Sequence, residues 1–167
     1  MNSKTKYAFL ILLISLTTLI LNNTLGGCSE PIEINKENAE APIYALMQSY
    51  ADAINETNPE KVISHYFKSD DFLIYQDGVH YDYNKTVSQV QTFFPSVKSL
   101  NVKWDTVVVR VLNNNTAVAF APFHESFTDS KDVETKVIGE VTWIANKIGD
   151  EWKFVYGHAF HKADIKH

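Results

Sequence analysis

Cysteine and arginine are almost absent from this chain. Among 167 residues, Cys28 is the only cysteine and Arg110 the only arginine. One thiol cannot build a disulfide framework or a CxxC zinc site. Charge is sparse as well: 21% of residues are charged, and 20 acidic against 15 basic side chains give a formal net charge of −5. That balance argues against nucleic acid or an anionic lipid surface as the main partner. With 45% hydrophobic and 13% aromatic residues, the chain is not a disordered acidic tail. The six histidines show no HxH or HExxH spacing, so the pattern calls for no metal and no other cofactor. There is no internal repeat and no low-complexity tract. No apolar run reaches the roughly 20 residues that a membrane span needs. The length fits one domain.

What is present begins with a targeting segment. Lys4 and Lys6 are the only charges in residues 1–27, and Tyr7 to Leu21 is apolar apart from Ser15, Thr17 and Thr18. A basic start, a short apolar stretch and small residues before a break describe a secretory signal. Leu25-Gly26-Gly27-Cys28 resembles the bacterial lipobox. The resemblance implies cleavage before Cys28, acylation of its thiol and of the new amino terminus, and anchoring in the bacterial cell envelope with the domain outside the cytoplasm. Several acyl chains on one residue hold firmly, because each buried CH₂ contributes about 0.8 kcal/mol. The membrane is then a partner through the lipid anchor only. Loss of residues 1–27 removes two lysines and no acid, leaving 20 acids against 13 bases, a formal −7. Residues 28–41 carry Pro31, Glu30, Glu33 and Glu37 with little apolar periodicity, and read as the acylated cysteine and a flexible tether. Residues 163–167 read as a frayed tail.

Residues 42–162 carry the domain pattern. Pro42 suits a first helical turn, and Ile43, Leu46, Met47, Tyr50 and Ile54 follow at helical spacing. Asn58-Pro59-Glu60 starts a second helix with Asn58 as its cap. Its buried stripe is Val62, Ile63, Tyr66 and Phe67. Residues 72–76 and 79–83 flank Asp77-Gly78, a two-residue hairpin signal. A third helix covers Lys85 to Phe94 and ends at Pro95. Four strands follow, at 100–112, 116–128, 133–146 and 151–162.

Parity assigns the faces of those strands. Val118, Phe120, Pro122 and His124, then Val137, Gly139, Val141 and Trp143, then Trp152, Phe154, Tyr156, His158 and Phe160 form the more apolar set, expected to face the helices. The other face carries Lys136, Glu140, Thr142 and Lys153 but also Ala119, Ala121, Phe123, Ile138, Ile144 and Val155. A partly apolar outer face fits a homodimer through that face, or an ordinary surface with scattered apolar residues.

Three stretches resemble the nuclear transport factor 2-like superfamily, and its SnoaL-like branch in particular: Leu46 to Phe67, Asp70 to Tyr75, and Val141 to His158 with its Gly149-Asp150-Glu151-Trp152-Lys153 turn and aromatic closing strand. The resemblance implies an α+β cone: a curved, mostly antiparallel sheet of a hairpin plus a four-stranded meander, packed on about three N-terminal helices around a ligand cavity. It says little about activity, because that superfamily hosts enzymes, binders and assembly domains.

Within that frame Tyr50 matches the helix-one tyrosine that ketosteroid isomerases use as an oxyanion donor, and equally fits a core tyrosine. The isomerase's aspartate base falls on Gln76, which cannot take a proton at neutral pH. His158 and His124, on the expected inner face, are candidate acids or bases. Turn-based pairing sets Gly139 opposite both His158 and Pro122, and His124 opposite Val137. The two histidines then lie roughly 12 Å apart, at opposite ends of a small ligand above Gly139. Tyr156, Trp104 (opposing His124), Gln76, Phe120 and Trp143 are candidate ligand-binding residues. His65 and His80 read as exposed or rim positions, and His161 as outward. The first reading is a non-catalytic module binding a small apolar or aromatic-compatible molecule. The alternative is an isomerase, dehydratase or cyclase with His158 or His124 moving the proton and Tyr50 holding an oxyanion.

Overall fold

The computed structural model describes residues 36–163. Cys28, the signal and most of the tether therefore lie outside the described residues. Three helices, α1 (Lys36–Asn55), α2 (Pro59–Ser64) and α3 (Tyr83–Phe93), pack on one face of a curved, unclosed mixed sheet. Its strands are β1 (Leu73–Gln76), β2 (Val79–Asp82), β3 (Val97–Trp104), β4 (Val108–Asn113), β5 (Thr116–Asp129), β6 (Glu134–Ile148) and β7 (Glu151–Ala163). The order is β2-β1-β7-β6-β5-β3, with β4 also on β5. All pairs are antiparallel except β1 with β7.

The local signals act as their chemistry requires. Asn58 caps α2, its side chain accepting from Lys61 N at 3.0 Å, and Pro59 occupies the first helical position. Asp77 and Gly78 both take positive φ (51° and 87°), and Gln76 pairs with Val79 across them. Two positive φ values give a hairpin turn whose twist matches its strands. Asp82 caps α3 through Lys85 N.

Several boundaries move. α1 starts at Lys36, so residues 36–41 are helix rather than tether, and Pro42 sits inside it. Proline's fixed φ is compatible with a helix, and the hydrogen bond it cannot make lies on an exposed stretch. α2 ends at Ser64, so Tyr66 and Phe67 leave the helix; Phe67 N and Phe154 O bond at 2.9 Å, tying this segment to β7. The continuous strand expected over 100–112 is two strands, broken at 105–107. Pro122 explains the break. It sits on β5 facing this edge, accepts from Asp105 N at 2.9 Å, and has no N–H to continue the ladder. β7 runs to Ala163, one residue into the expected tail.

The inward face of β5, and of β7 beyond Val155, is also the opposite of the one expected. On β5 the buried residues are Ala117, Ala119, Ala121 and Phe123, while Val118, Phe120 and Pro122 are half-buried and His124 exposed. The actual register sets Phe123 against Gly139 and His124 against Ile138. It is one residue off the turn-based pairing, and a one-residue slip reverses every side chain. On β7 the register shifts between Ile144 and Ala145, whose partners are Tyr156 and Phe154. Val155 is the extra residue of a bulge. Beyond it Gly157, Ala159 and His161 face inward with Trp143, Val141 and Gly139, and Tyr156, His158 and Phe160 face outward. The core collects Ile43 and Met47 of α1, Val62 of α2, Phe72, Val109 and Phe154, all essentially without solvent contact.

Candidate functional site

A cavity of about 170 Å³ lies between the inner sheet face and the helices. α1 contributes Tyr50 and Ile54; α2, Val62; α3, Thr86, Gln89 and Val90. The sheet contributes Ile74, Gln76, Leu100, Val102, Trp104, Phe123, Glu125, Val141, Trp143, Ala159 and His161. One end is a solid aromatic cluster. Trp143 stacks on Phe154 with centroids 4.5 Å apart, and Tyr50 meets both rings edge-on. Gly157 makes this stacking possible, since a Cβ there would lie 2.4 Å from the Trp143 ring. Gly139 plays the same part for Phe123. The space expected above Gly139 for a ligand is therefore taken by that ring.

The polar groups of the cavity are few. Tyr50 and Tyr66 share a hydroxyl–hydroxyl hydrogen bond of 2.7 Å. Burial pushes Tyr50 up to about 12, against the opposing effect of that bond, and raises Tyr66 well above the ordinary phenol value. Both therefore stay protonated. Two hydroxyls with one bond between them leave one hydrogen for a third acceptor. Trp143 Nε1 is buried in the wall with no partner among the described residues. Trp104 Nε1 by contrast donates to Met47 O at 3.1 Å, fixing its ring against α1.

The far end is acidic and basic together. Glu125 is half-buried. Burial raises its carboxyl above the ordinary value, partly offset by the charge of His161. His161 is held from behind by the hairpin turn: its backbone N–H donates to Asp77 Oδ1 at 2.7 Å, and its Nδ1 lies 2.9 Å from Asp77 Oδ2.

Tyr50, Gln76, Trp104 and Trp143 thus line the cavity as expected. His124, His158, Tyr156 and Phe120 do not. His124 lies on the surface with Nε2 3.4 Å from Asp105, and Lys103 rather than Trp104 opposes it. His158 stacks on Tyr75 outside, centroids 5.3 Å apart. His80 is exposed as expected, but His65 is buried; its Nδ1 meets Lys61 O at 2.7 Å and its Nε2 meets Ser49 Oγ at 3.0 Å. His161, Asp77 and Glu125 were missed because strict alternation puts His161 and Glu125 outside. Gly157 was the available signal, since glycine inside a strand marks a bulge or a close approach. Among the described residues no cluster of histidine, cysteine, aspartate and glutamate could hold a metal, and no helix is long and apolar enough to cross a membrane.

This architecture matches solved structures. A nuclear transport factor 2-like superfamily protein from Salmonella enterica aligns with a TM-score of 0.66 at 16% identity, over 78% of this chain and 94% of that one. The chain has the nuclear transport factor 2-like fold. A candidate dehydratase of that family from Streptomyces avermitilis also aligns with a TM-score of 0.66, at 12% identity, over 74% and 96% of the two chains. A protein with a cystatin-like fold from Caulobacter vibrioides gives 0.63 at 19% identity over 76% and 92%. No family model and no curated protein matches the sequence. At these identities the likeness carries the nuclear transport factor 2-like fold, and function rests on the cavity's own residues.

Proposed function

We propose that the chain is a lipoprotein of the bacterial cell envelope whose domain binds a small, mostly apolar molecule carrying a hydrogen-bond acceptor. The observation that carries the binding role is the mostly apolar cavity between the helices and the inner sheet face, with the Tyr50–Tyr66 hydroxyl pair among its lining residues. That pair has one hydrogen left over for a ligand acceptor. The test is native mass spectrometry on protein purified from its own envelope. A bound species in the wild type that is lost in Ala159→Phe, which fills the cavity, supports the reading. No bound species, and no thermal shift with any small apolar ligand, overturns it.

Anchoring rests on Leu25-Gly26-Gly27-Cys28. Cys28→Ser should abolish acyl labelling and membrane retention, and unchanged retention would refute it. The outer sheet face is assigned to a second copy of the chain. Phe160 is 54% exposed there, beside half-buried Val118, Phe120, Ile138, Ile144 and Tyr156, and a two-fold interface is self-complementary. Light scattering should give twice the chain mass for the wild type and the monomer mass for Phe160→Lys.

The enzymatic alternative loses His158 and His124 as its acid or base, since neither reaches the cavity. The dehydratase-like neighbour keeps catalysis in view, but only through other residues.

A further inference from the structure

A second recess, of about 640 Å³, lies between α1, α2 and the start of β7, and none of the residues lining it lines the cavity. Pro42, Ala45, Ser49, Asp52 and Glu56 reach it from one face of α1, at steps of three and four residues. Ser49 is exposed there, and His65, just past the end of α2, is buried behind it.

The two side chains are in contact. Ser49 Oγ and His65 Nε2 are 3.0 Å apart, and His65 Nδ1 lies 2.7 Å from Lys61 O. A carbonyl oxygen only accepts, so Nδ1 carries the proton. In the neutral ring Nε2 then accepts from the Ser49 hydroxyl. An exposed hydroxyl is thus paired with a base that a third group orients, which is the arrangement an activated nucleophile needs. Tyr50 also meets the ring edge-on, with centroids 5.5 Å apart. Burial favours the uncharged ring against the Lys61 carbonyl, and the charge of Lys153 adds to that.

Lys153 holds a positive charge in the same recess. Its Nζ donates to Ser64 O at 2.9 Å and pairs with Glu151 at 2.7 Å. Asp52, Glu56 and Glu151 together outnumber Lys61 and Lys153 around the recess, a balance that disfavours an anionic substrate. Pro42, Leu46 and Trp152 supply apolar surface for a short hydrocarbon chain.

We propose that Ser49 and His65 form a nucleophile–base pair that hydrolyses a small neutral ester with a short apolar acyl chain. The Lys61 carbonyl positions the ring. The Ser49 hydroxyl proton passes to His65 Nε2 as an Oγ electron pair bonds the ester carbonyl carbon. The carbonyl π pair moves to oxygen, where the charge of Lys153 favours it. That pair then re-forms the carbonyl, the bond to the alcohol oxygen breaks, and Nε2 gives its proton to the departing alcohol. Water repeats the sequence on the acyl-serine. Its proton goes to Nε2, its oxygen bonds the acyl carbon, and Ser49 Oγ leaves and takes the proton back. One ester and one water become one acid and one alcohol, and both residues are restored.

The test uses the full-length chain and two probes. Hydrolysis of 4-nitrophenyl butyrate is read by release of the phenolate. A fluorophosphonate, which loses fluoride to an activated serine, is located by peptide mass spectrometry. The wild type should hydrolyse the ester faster than buffer and take the label on Ser49. Ser49→Ala, at an exposed position, should lose both. His65→Gln should lower the rate above buffer by about 100-fold or more. In the wild type that rate should rise with pH in one step below pH 6.5 and stay level to pH 8, because the base must be uncharged and burial lowers it from 6.5. The pH profile judges the base even where His65→Gln fails to fold. His80→Gln should behave as wild type. A rate no faster than buffer, a label on another residue, hydrolysis that survives Ser49→Ala, or a rate above buffer with no step below pH 6.5 overturns the pair.

Discussion

A carboxyl group in an apolar cavity wall avoids an unpaired charge either by finding a cation or by keeping its proton. Glu125 does mostly the second, since its side chain makes no hydrogen bond among the described residues and burial raises its pKa. The folded state then holds the proton where the unfolded chain has released it. Stability should fall as pH rises from the ordinary carboxyl value of 4.5 through the higher folded-state value. Glu125→Gln should remove that slope and melt higher than wild type at pH 7; parallel melting curves between pH 4 and 8 would count against it. Trp143 and Phe154 are stacked neighbours with opposite expectations. Phe154 is fully buried and hydrocarbon throughout, so Phe154→Ala should cost about 3–5 kcal/mol by denaturant titration. Trp143→Phe removes an unsatisfied donor along with some volume, so its net cost should stay under about 1.5 kcal/mol.

At the level of elements, His65 is the fastener between α1 and α2. Its Nδ1 donates to Lys61 O, so Nε2 accepts from Ser49 of α1. Ser49 Oγ can equally accept from a protonated Nε2, so burial, not the loss of these bonds, is what disfavours the charged ring. Burial lowers its pKa from 6.5, with the carbonyl of Lys61 opposing. Its contribution is present above pH 6.5 and is lost as pH falls toward the lower folded-state value. Thermal stability should drop on acidification through that window, and His65→Gln should flatten the drop. Helix caps, hairpin and strand existence were readable because each depends on a few adjacent residues: Asn58-Pro59, Asp77-Gly78, Gly149-Asp150. The inward faces of β5 and β7 were not. They depend on a bulge at Val155 and on the small row Ala117, Ala119 and Ala121, whose burial follows from helices pressing close rather than from hydrophobicity. Tyr50 is legible from the α1 stripe, Gln76 from the adjacent Asp77-Gly78 turn and Trp143 from alternation within β6, whereas Trp104 lines the cavity although its expected partner His124 pairs with Lys103. Gly157→Ala tests the same point. It should displace the Trp143 ring into the cavity, destabilise by about 1–3 kcal/mol and reduce ligand binding.

Across the described residues, the hairpin joins the rest of the sheet through β7, in the one parallel pairing among the named strands. Asp77 and His161 are 84 residues apart in sequence. Contacts of such separation form late, because the intervening chain must be closed before they bring any gain. The hairpin is local and can form early, yet it has no place in the sheet until the final strand arrives. A chain cut after Gly149 would keep β1, β2 and β6 but expose the whole β7-facing edge of β6 as unpaired strand. Such an edge recruits other chains. Both the seating of the hairpin and the His161 end of the cavity therefore wait on the last strand.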